Sequence, residues 1–372
     1  MRHFFLRFAP QKMNHIALLD ATLARDASSS VARPSGDDKA MLKAAANLTR
    51  DLNRADPRIY WADFLGSAAL GYAGLFAAMA VRGPMAIVAG LVAVLALYRA
   101  GSFIHELTHI KQGAVPGFRL AWNLIAGIPL LAPSFLYEGV HNQHHAKTYY
   151  GTAQDPEYLP LALMKPWTIP LFLVAAVFAP IAMLVRFGLI APLSLLSRRL
   201  RGVVVSRYSG LQINPRFRRA QPQGAFRRDW MVQETAASLW AIALVALVAG
   251  RIIPLRAFVI FLAVASGVMF LNQVRTLVAH LWENDGEPMS VTAQYLDSVN
   301  VPPPGTLPAL WAPVGLRYHA LHHLLPGLPY HALGEAHRRL CAELDSRSAY
   351  HSASYRGLGG LVWRLLVGSG KA

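Results

Sequence analysis

HELTH, residues 105–109, can be read in two ways, and the choice decides how the rest of the chain is read. As His-Glu-x-x-His it supplies two metal-binding imidazoles and a general base, and it needs one further ligand. As His-x-x-x-His it is one pair in a larger set, and more clustered histidines must follow. Positions i and i+4 lie about 40° apart around a helix, so His105 and His109 can grip one metal ion in either case.

The chain of 372 residues carries 14 histidines. Eight fall into three clusters: His105 and His109 in HELTH; His141, His144 and His145 in HNQHH; and His319, His322 and His323 in HALHH. A ninth, His280, stands in LVAHLWEND. The repeated His-x-x-His-His spacing presents positions i, i+3 and i+4 of a helix, so each cluster offers neighbouring donors, and together they could converge on a pair of ions. Isolated histidines are more often structural, and His3, His15, His331, His337 and His351 are read that way. Ligation by imidazole without thiolate suits iron, zinc, copper or nickel. The single cysteine, Cys341, leaves neither an intramolecular disulfide nor a Cys-based metal site. Carboxylates beside the clusters are candidates for holding the rings in their metal-binding tautomer: Glu106, Glu138 and Asp155.

Composition puts these clusters beside a membrane. Hydrophobic residues make up 54% of the chain and charged residues 15%, against about 25% charged in a soluble domain; mean hydropathy is +0.32. The net charge of +16 is concentrated. Between Ser197 and Arg228 stand nine arginines (Arg198, Arg199, Arg201, Arg207, Arg216, Arg218, Arg219, Arg227 and Arg228) and no Asp or Glu. Beside long apolar segments, such a run marks contact with anionic lipid headgroups on the cytoplasmic side rather than nucleic acid. It could also dock an acyl-carrier phosphate or an acidic redox partner. The first 20 residues hold no apolar run of signal-peptide length.

A membrane span needs about 20 mostly apolar residues. Phe64–Val81 and Met85–Tyr98, joined by Arg82-Gly83-Pro84, predict one hairpin; Thr235–Gly250 and Ile252–Leu271, turning at Arg251, predict a second. Leu120–Leu136 contains Asn123, Gly127, Pro129 and Pro133 and is expected to be re-entrant or interfacial. Trp167–Leu196 contains three prolines and Arg186. A charge in mid-bilayer costs about 2.5–3.5 kcal/mol, so this stretch is expected to be a broken hairpin or a helix lying in the interface. If both middle segments return to the side they left, all histidine clusters and the arginine-rich loop share one face, which the positive-inside rule makes cytoplasmic.

The expected fold is therefore an all-α integral membrane protein. It has about four transmembrane helices in two hairpins, re-entrant or interfacial helices, and a cytoplasmic helical cap holding a histidine-rich dimetal site. Residues 1–55 read as a polar, mobile lead-in, 56–345 as the membrane domain and 346–372 as a C-terminal tail.

The three clusters match, in order and spacing, the histidine boxes of the membrane fatty acid desaturase superfamily, which the chain resembles over roughly residues 60–340. DPEYLP after the second box, RTLVAH around His280, and HHLLPGLPYHALGEAHRRL from the third box onward are similar as well. The extra histidine of the acyl-CoA desaturases is matched by His280. Those enzymes carry an Asn four residues earlier, holding a metal-bound water; here Thr276 stands there, with Asn272 and Asn284 nearby. The resemblance implies nine histidine ligands for two iron ions and O2 as co-substrate. It also implies a fatty acyl substrate and electrons from a separate protein, such as a ferredoxin or a cytochrome b5-like protein with its reductase. No His-Pro-Gly-Gly haem motif occurs in the chain. Desaturation is the expected reaction, with hydroxylation or oxidative decarboxylation to a terminal alkene as alternatives, and the bacterial inner membrane is the expected location.

The rival reading is an intramembrane zinc protease, with Glu106 as base and Asp285 of Asp285-Gly286 as third ligand. It leaves six box histidines unused. A metal carrier would need ionisable groups within its spans, where Arg186 stands almost alone.

Overall fold

The computed structural model describes residues 36–369 apart from Thr306. The regular elements among the described residues are helical, with only isolated β-bridges between extended segments. Of the segment expected to be a mobile lead-in, residues 1–35 lie outside the described part. The remainder carries α1 (Lys39–Leu48), capped by the Asp38 side chain on Met41 N. Met41 and Ala45 of α1 are buried against Tyr295, Leu321, Leu333 and Leu340, so the packed body begins before residue 56.

α2 (Pro57–Ala80) and α3 (Pro84–His109) form the first hairpin. Asp56 caps α2 through Arg58 N, and Pro57 opens it. Gly83, at φ 65°, supplies the left-handed residue of the turn, and Pro84 starts α3. The two helices approach closely through small residues: a Cβ added at Gly74 would meet the Ala89 carbonyl at 3.0 Å. HELTH is the last turn and a half of α3, so the first box is carried on the buried end of a transmembrane helix.

α4 (Thr168–Ser194) is one continuous helix and not a broken hairpin. Pro180 lies inside it, and its turns widen to a π-helix over Arg186–Ile190. Arg186 is tolerated because it is paired: Nη2 lies 2.5 Å from Glu234 Oε1, while Nε donates to the Tyr208 carbonyl at 2.7 Å. A helix of 27 residues is about 40 Å long and could cross a bilayer. Both flanks nevertheless return to histidine-bearing segments. Ala162 N donates to the Trp282 carbonyl, two residues past His280. On the other side, Leu211 N donates to the Leu136 carbonyl and Asn214 Nδ2 to the Asp155 carbonyl. The intervening α5 (Arg198–Tyr208) has 11 residues, too few to recross about 30 Å of hydrocarbon. Both flanks of α4 thus lie beside histidine-bearing segments, which favours a helix that returns to the side it left.

α6 (Gly224–Ala249) and α7 (Leu255–Leu277) form the second hairpin, with Arg251 at φ 61° in the turn. α7 packs on α3 and α4; Ser266 Oγ donates to the Val177 carbonyl of α4 at 2.7 Å. Among the described residues, five helices (α2, α3, α4, α6 and α7) are long and apolar enough to cross a membrane. Each presents large apolar side chains outward, among them Phe76, Ile87, Phe178, Leu239 and Val259, as a lipid-facing surface requires. Leu120–Leu136 is irregular, as its prolines predict: a short helix, a π-turn and a 3-10 turn, tied by Asn123 Oδ1 accepting from Ser134 N.

The cap is built from α1, α8 (Val291–Asp297), α9 (His319–Leu324), α10 (Leu333–Glu343) and α11 (Leu358–Ser369). Its core joins Tyr295, Leu321, Ala336, Leu340 and Tyr350.

Candidate metal centre

The nine expected histidines converge. Their donor atoms form two groups, in each of which all donors lie within 4.8 Å of one another. One holds His105, His109, His141, His145 and His322; the other holds His144, His280, His319 and His323. The boxes do not map one to a metal. Each i, i+4 pair (105/109, 141/145, 319/323) stays together, whereas the i+3 residues His144 and His322 go to the opposite group. Helix geometry explains this: i and i+4 are about 40° apart, and i+3 is about 100° from i+4, so the odd residue points past its neighbours. The two groups adjoin, with the His145 and His323 rings stacked 4.2 Å apart.

The tautomers are set from outside. His144 Nδ1 lies 2.9 Å from Asp155 Oδ2, and His141 Nδ1 lies 2.9 Å from Glu157 Oε1. Tyr150 Oη donates to Asp297 Oδ2 at 2.9 Å, so the 2.8 Å contact with His280 Nδ1 is one in which the ring donates. Each of these rings therefore carries its proton on Nδ1, away from the centre, and turns a bare Nε2 inward. His141 and His145 then face each other Nε2 to Nε2 at 3.0 Å, and so do His280 and His319. His322–His145 and His323–His319 stand at 3.2 Å. Buried ring nitrogens of His105, His109, His145 and His319 have no hydrogen-bond partner. Burial holds His141, His145, His280, His319, His322 and His323 well below the ordinary histidine range, so they are neutral. For His144 burial acts in the same sense, but the Asp155 carboxylate outweighs it and the net shift is upward. Converging lone pairs on neutral imidazoles are what bound metal ions require, and the residues fit a two-metal site.

The other expected residues lie elsewhere. Of the three carboxylates proposed to hold rings, only Asp155 does so. Glu106 is buried but accepts hydrogen bonds from Tyr60 Oη and Tyr330 N, and its Oε1 stands 3.9 Å from His105 Nδ1, beyond hydrogen-bond reach. Glu138 pairs with Arg119. Thr276 Oγ1 bonds back to the Asn272 carbonyl in its own helix, while Asn284 ties Gly151 and Glu287 together. Glu157 and the Tyr150–Asp297 relay, absent from the sequence reading, take the places of Glu106 and Glu138. Glu157 lies two residues after Asp155 in DPEYLP, a spacing that could have pointed to it. Asp297 lies too far along the chain for any local signal. His331 accepts from Asp56 N, and His337 bonds Tyr350 Oη, both away from the two groups. Asp285 is exposed and belongs to neither group, so the protease reading lacks its third ligand.

A cavity of about 390 Å³ opens beside the first group, between α3, α4 and α7. His105, Tyr137 and Glu157 form its metal-side end, while Leu130, Phe172, Ala176 and Val268 are among its apolar walls.

The arginine-rich segment is divided. Arg219 is buried, bonded to the Phe135, Ser209 and Glu138 carbonyls and stacked 4.4 Å over Trp230. Arg201 pairs with Glu234. Arg198, Arg199, Arg207, Arg216, Arg218, Arg227 and Arg228 are exposed.

Among known proteins, the pattern of the family described as fatty acid desaturase matches residues 82–355. A ceramide hydroxylase of Caulobacter vibrioides (strain NA1000 / CB15N) is 48% identical over 322 residues, covering 86% of this chain and 92% of that protein. With the histidine groups, the apolar helices and these matches together, the chain belongs to the fatty acid desaturase family and is a membrane di-iron oxidoreductase.

Proposed function

We propose that the protein hydroxylates a hydrocarbon chain of a ceramide-type lipid, with one iron held by His105, His109, His141, His145 and His322 and a second by His144, His280, His319 and His323. The observation that carries the metal assignment is the set of Nε2 atoms facing one another at 3.0–3.2 Å. Iron is preferred to zinc because zinc has no redox chemistry. Hydroxylation is preferred to desaturation on the strength of the ceramide hydroxylase relative.

When bound, iron would supply the two-electron activation of O2 needed to break an unactivated C–H bond. The balance is R–H, O2, two electrons and two protons giving R–OH and water. The electrons come from a separate donor, a ferredoxin or a cytochrome b5-like protein with its reductase. The chain's own part is orientation and exclusion. Asp155, Glu157 and the Tyr150–Asp297 relay fix the rings, and the walls of the cavity keep water from the reacting carbon and hold it beside His105. The seven exposed arginines suit anionic headgroups or an acidic donor. Their concentration supports a cytoplasmic face for the histidines, in a bacterial inner membrane.

The test is lipid mass spectrometry of cells expressing the protein with a supply of ceramide, and His144→Ala as control. A ceramide gaining one oxygen is expected. Loss of two hydrogens would turn the assignment to desaturation, and a chain one carbon shorter to decarboxylation. An unchanged lipid profile with iron and electron donor present would sink it.

A further inference from the structure

Between Arg256 and its last two turns α7 is apolar apart from Ser266, and those last turns read Asn272-Gln273-Val274-Arg275-Thr276. All four of the polar residues in that run line the cavity. Polar side chains inside a span are expensive and persist where they serve a pathway or a ligand. Arg275 is the extreme case: 8% of its surface is exposed, and its Nε has no hydrogen-bond partner. Facing the same space from the loop after α5 is Gln212, whose Oε1 is likewise buried and without a partner. The cavity thus presents one unpaired donor on a cation and one unpaired acceptor. Leaving such groups unmet costs more than a made hydrogen bond gains, which favours an occupant that meets both.

We infer that Arg275 and Gln212 position the substrate by its polar link: Arg275 donates to a carbonyl oxygen, and Gln212 accepts from an N–H or O–H. This rests on the lipid-oxidising reading above and deepens it, because the pair selects a neutral N-acyl amide lipid over a free fatty acid. A carboxylate would satisfy Arg275 but leave Gln212 Oε1 facing another acceptor. It would also share the cavity with Glu157, whose carboxylate is held by His141 and Tyr137. An ester of the same chain offers the carbonyl without the N–H. Arg275 and Gln212 are positioning residues, since neither belongs to the histidine groups.

The experiment uses purified, iron-loaded enzyme and three probes of equal chain length: a ceramide, the free fatty acid and its methyl ester. Displacement of a fluorescent ceramide reads binding independently of turnover, and product formation gives KM and kcat. Wild type is expected to bind the ceramide tightest. Arg275→Gln should raise Kd and KM for the ceramide about tenfold or more, the loss of one charge-assisted hydrogen bond. Iron content and kcat should change less, and Arg275→Lys should recover part of the affinity. Gln212→Leu should weaken the ceramide towards the level of the ester. If Arg275→Gln fails to assemble, the Gln212→Leu comparison of ceramide with ester decides alone. Equal binding of the free acid and the ceramide by wild type, or no loss of affinity in Arg275→Gln, overturns the inference. Selective ceramide binding that depends on Arg275, with no hydroxylated product, would instead keep the inference and fail the proposed reaction.

Discussion

At the scale of single residues, the centre separates carboxylates that hold imidazoles from carboxylates that hold the fold. Asp155 accepts from His144 Nδ1 and also from Gly151 N at 2.8 Å and Glu157 N at 2.8 Å. Asp155→Asn retains the shape but removes the charge that fixes the tautomer. Iron affinity should fall about 10- to 100-fold, read as iron retained against a graded chelator; retention equal to wild type would refute the role. Glu106→Gln should do the reverse. It weakens the bonds from Tyr60 and Tyr330 N, at a cost of about 1–3 kcal/mol, seen as a lower Tm with iron per chain unchanged and activity reduced but present. Complete loss of activity with iron retained would restore Glu106 as a catalytic base. The nine converging histidines were legible because their spacing on a helix is a local property, and Asp155 because it lies ten residues from His145. Nearness in sequence misled for Glu138, which turns to Arg119, and for Thr276, which bonds its own helix. What holds a ring is decided by which chain segment packs behind it, and proximity along the chain does not record that.

Among the helices, the two hairpins follow directly from hydropathy and from the punctuation of Gly83-Pro84 and Arg251. α4 did not, and the reason is Arg186. Taken alone, its charge and three prolines argue for interruption; with Glu234 it is a buried pair from residues 48 apart, invisible to any local reading. This pair makes a specific prediction. Glu234→Leu leaves Arg186 buried without its countercharge and should destabilise the protein by about 3–5 kcal/mol. The double variant Arg186→Met/Glu234→Leu, filling the same space with apolar groups, should recover most of that loss. Thermal unfolding in one detergent across the three proteins measures it. A double variant no more stable than Glu234→Leu would mean that Arg186 acts through its bonds to Tyr208 and Ser209 rather than through the pair. The same helix bears on topology: with both flanks tied to histidine-bearing segments, single cysteines introduced at Lys165 and Arg207 should be labelled from the same side of the membrane. Labelling from opposite sides would make α4 a true crossing and divide the chain that carries the boxes.

For the whole molecule, the metal sets are the junction between membrane and cap. The first group takes His105 and His109 from the end of transmembrane α3, His141 and His145 from the segment before α4, and His322 from α9. The second takes His280 from beyond α7 and joins it to His144 from the segment before α4 and to His319 and His323. Each ion would therefore bind elements that are distant in the chain and otherwise meet through the apolar cap core. Without ions, neutral lone pairs confront one another in a buried space, and each unmet polar atom carries a desolvation cost. Metal binding and folding of the cap are thus linked, because ligands that converge only in the native state make binding free energy part of folding free energy. Removal of iron by a chelator should lower the Tm markedly. It should also expose the cap, seen as faster proteolysis between residues 280 and 330, while the transmembrane hairpins keep their helical circular dichroism. Restoring iron at two ions per chain should return both signals; a plateau at one ion would show that only one of the two histidine groups is filled. A Tm indifferent to iron would mean that the apolar core around Tyr295 and Tyr350 suffices to hold the cap, and that the histidines are preorganised at no gain in stability.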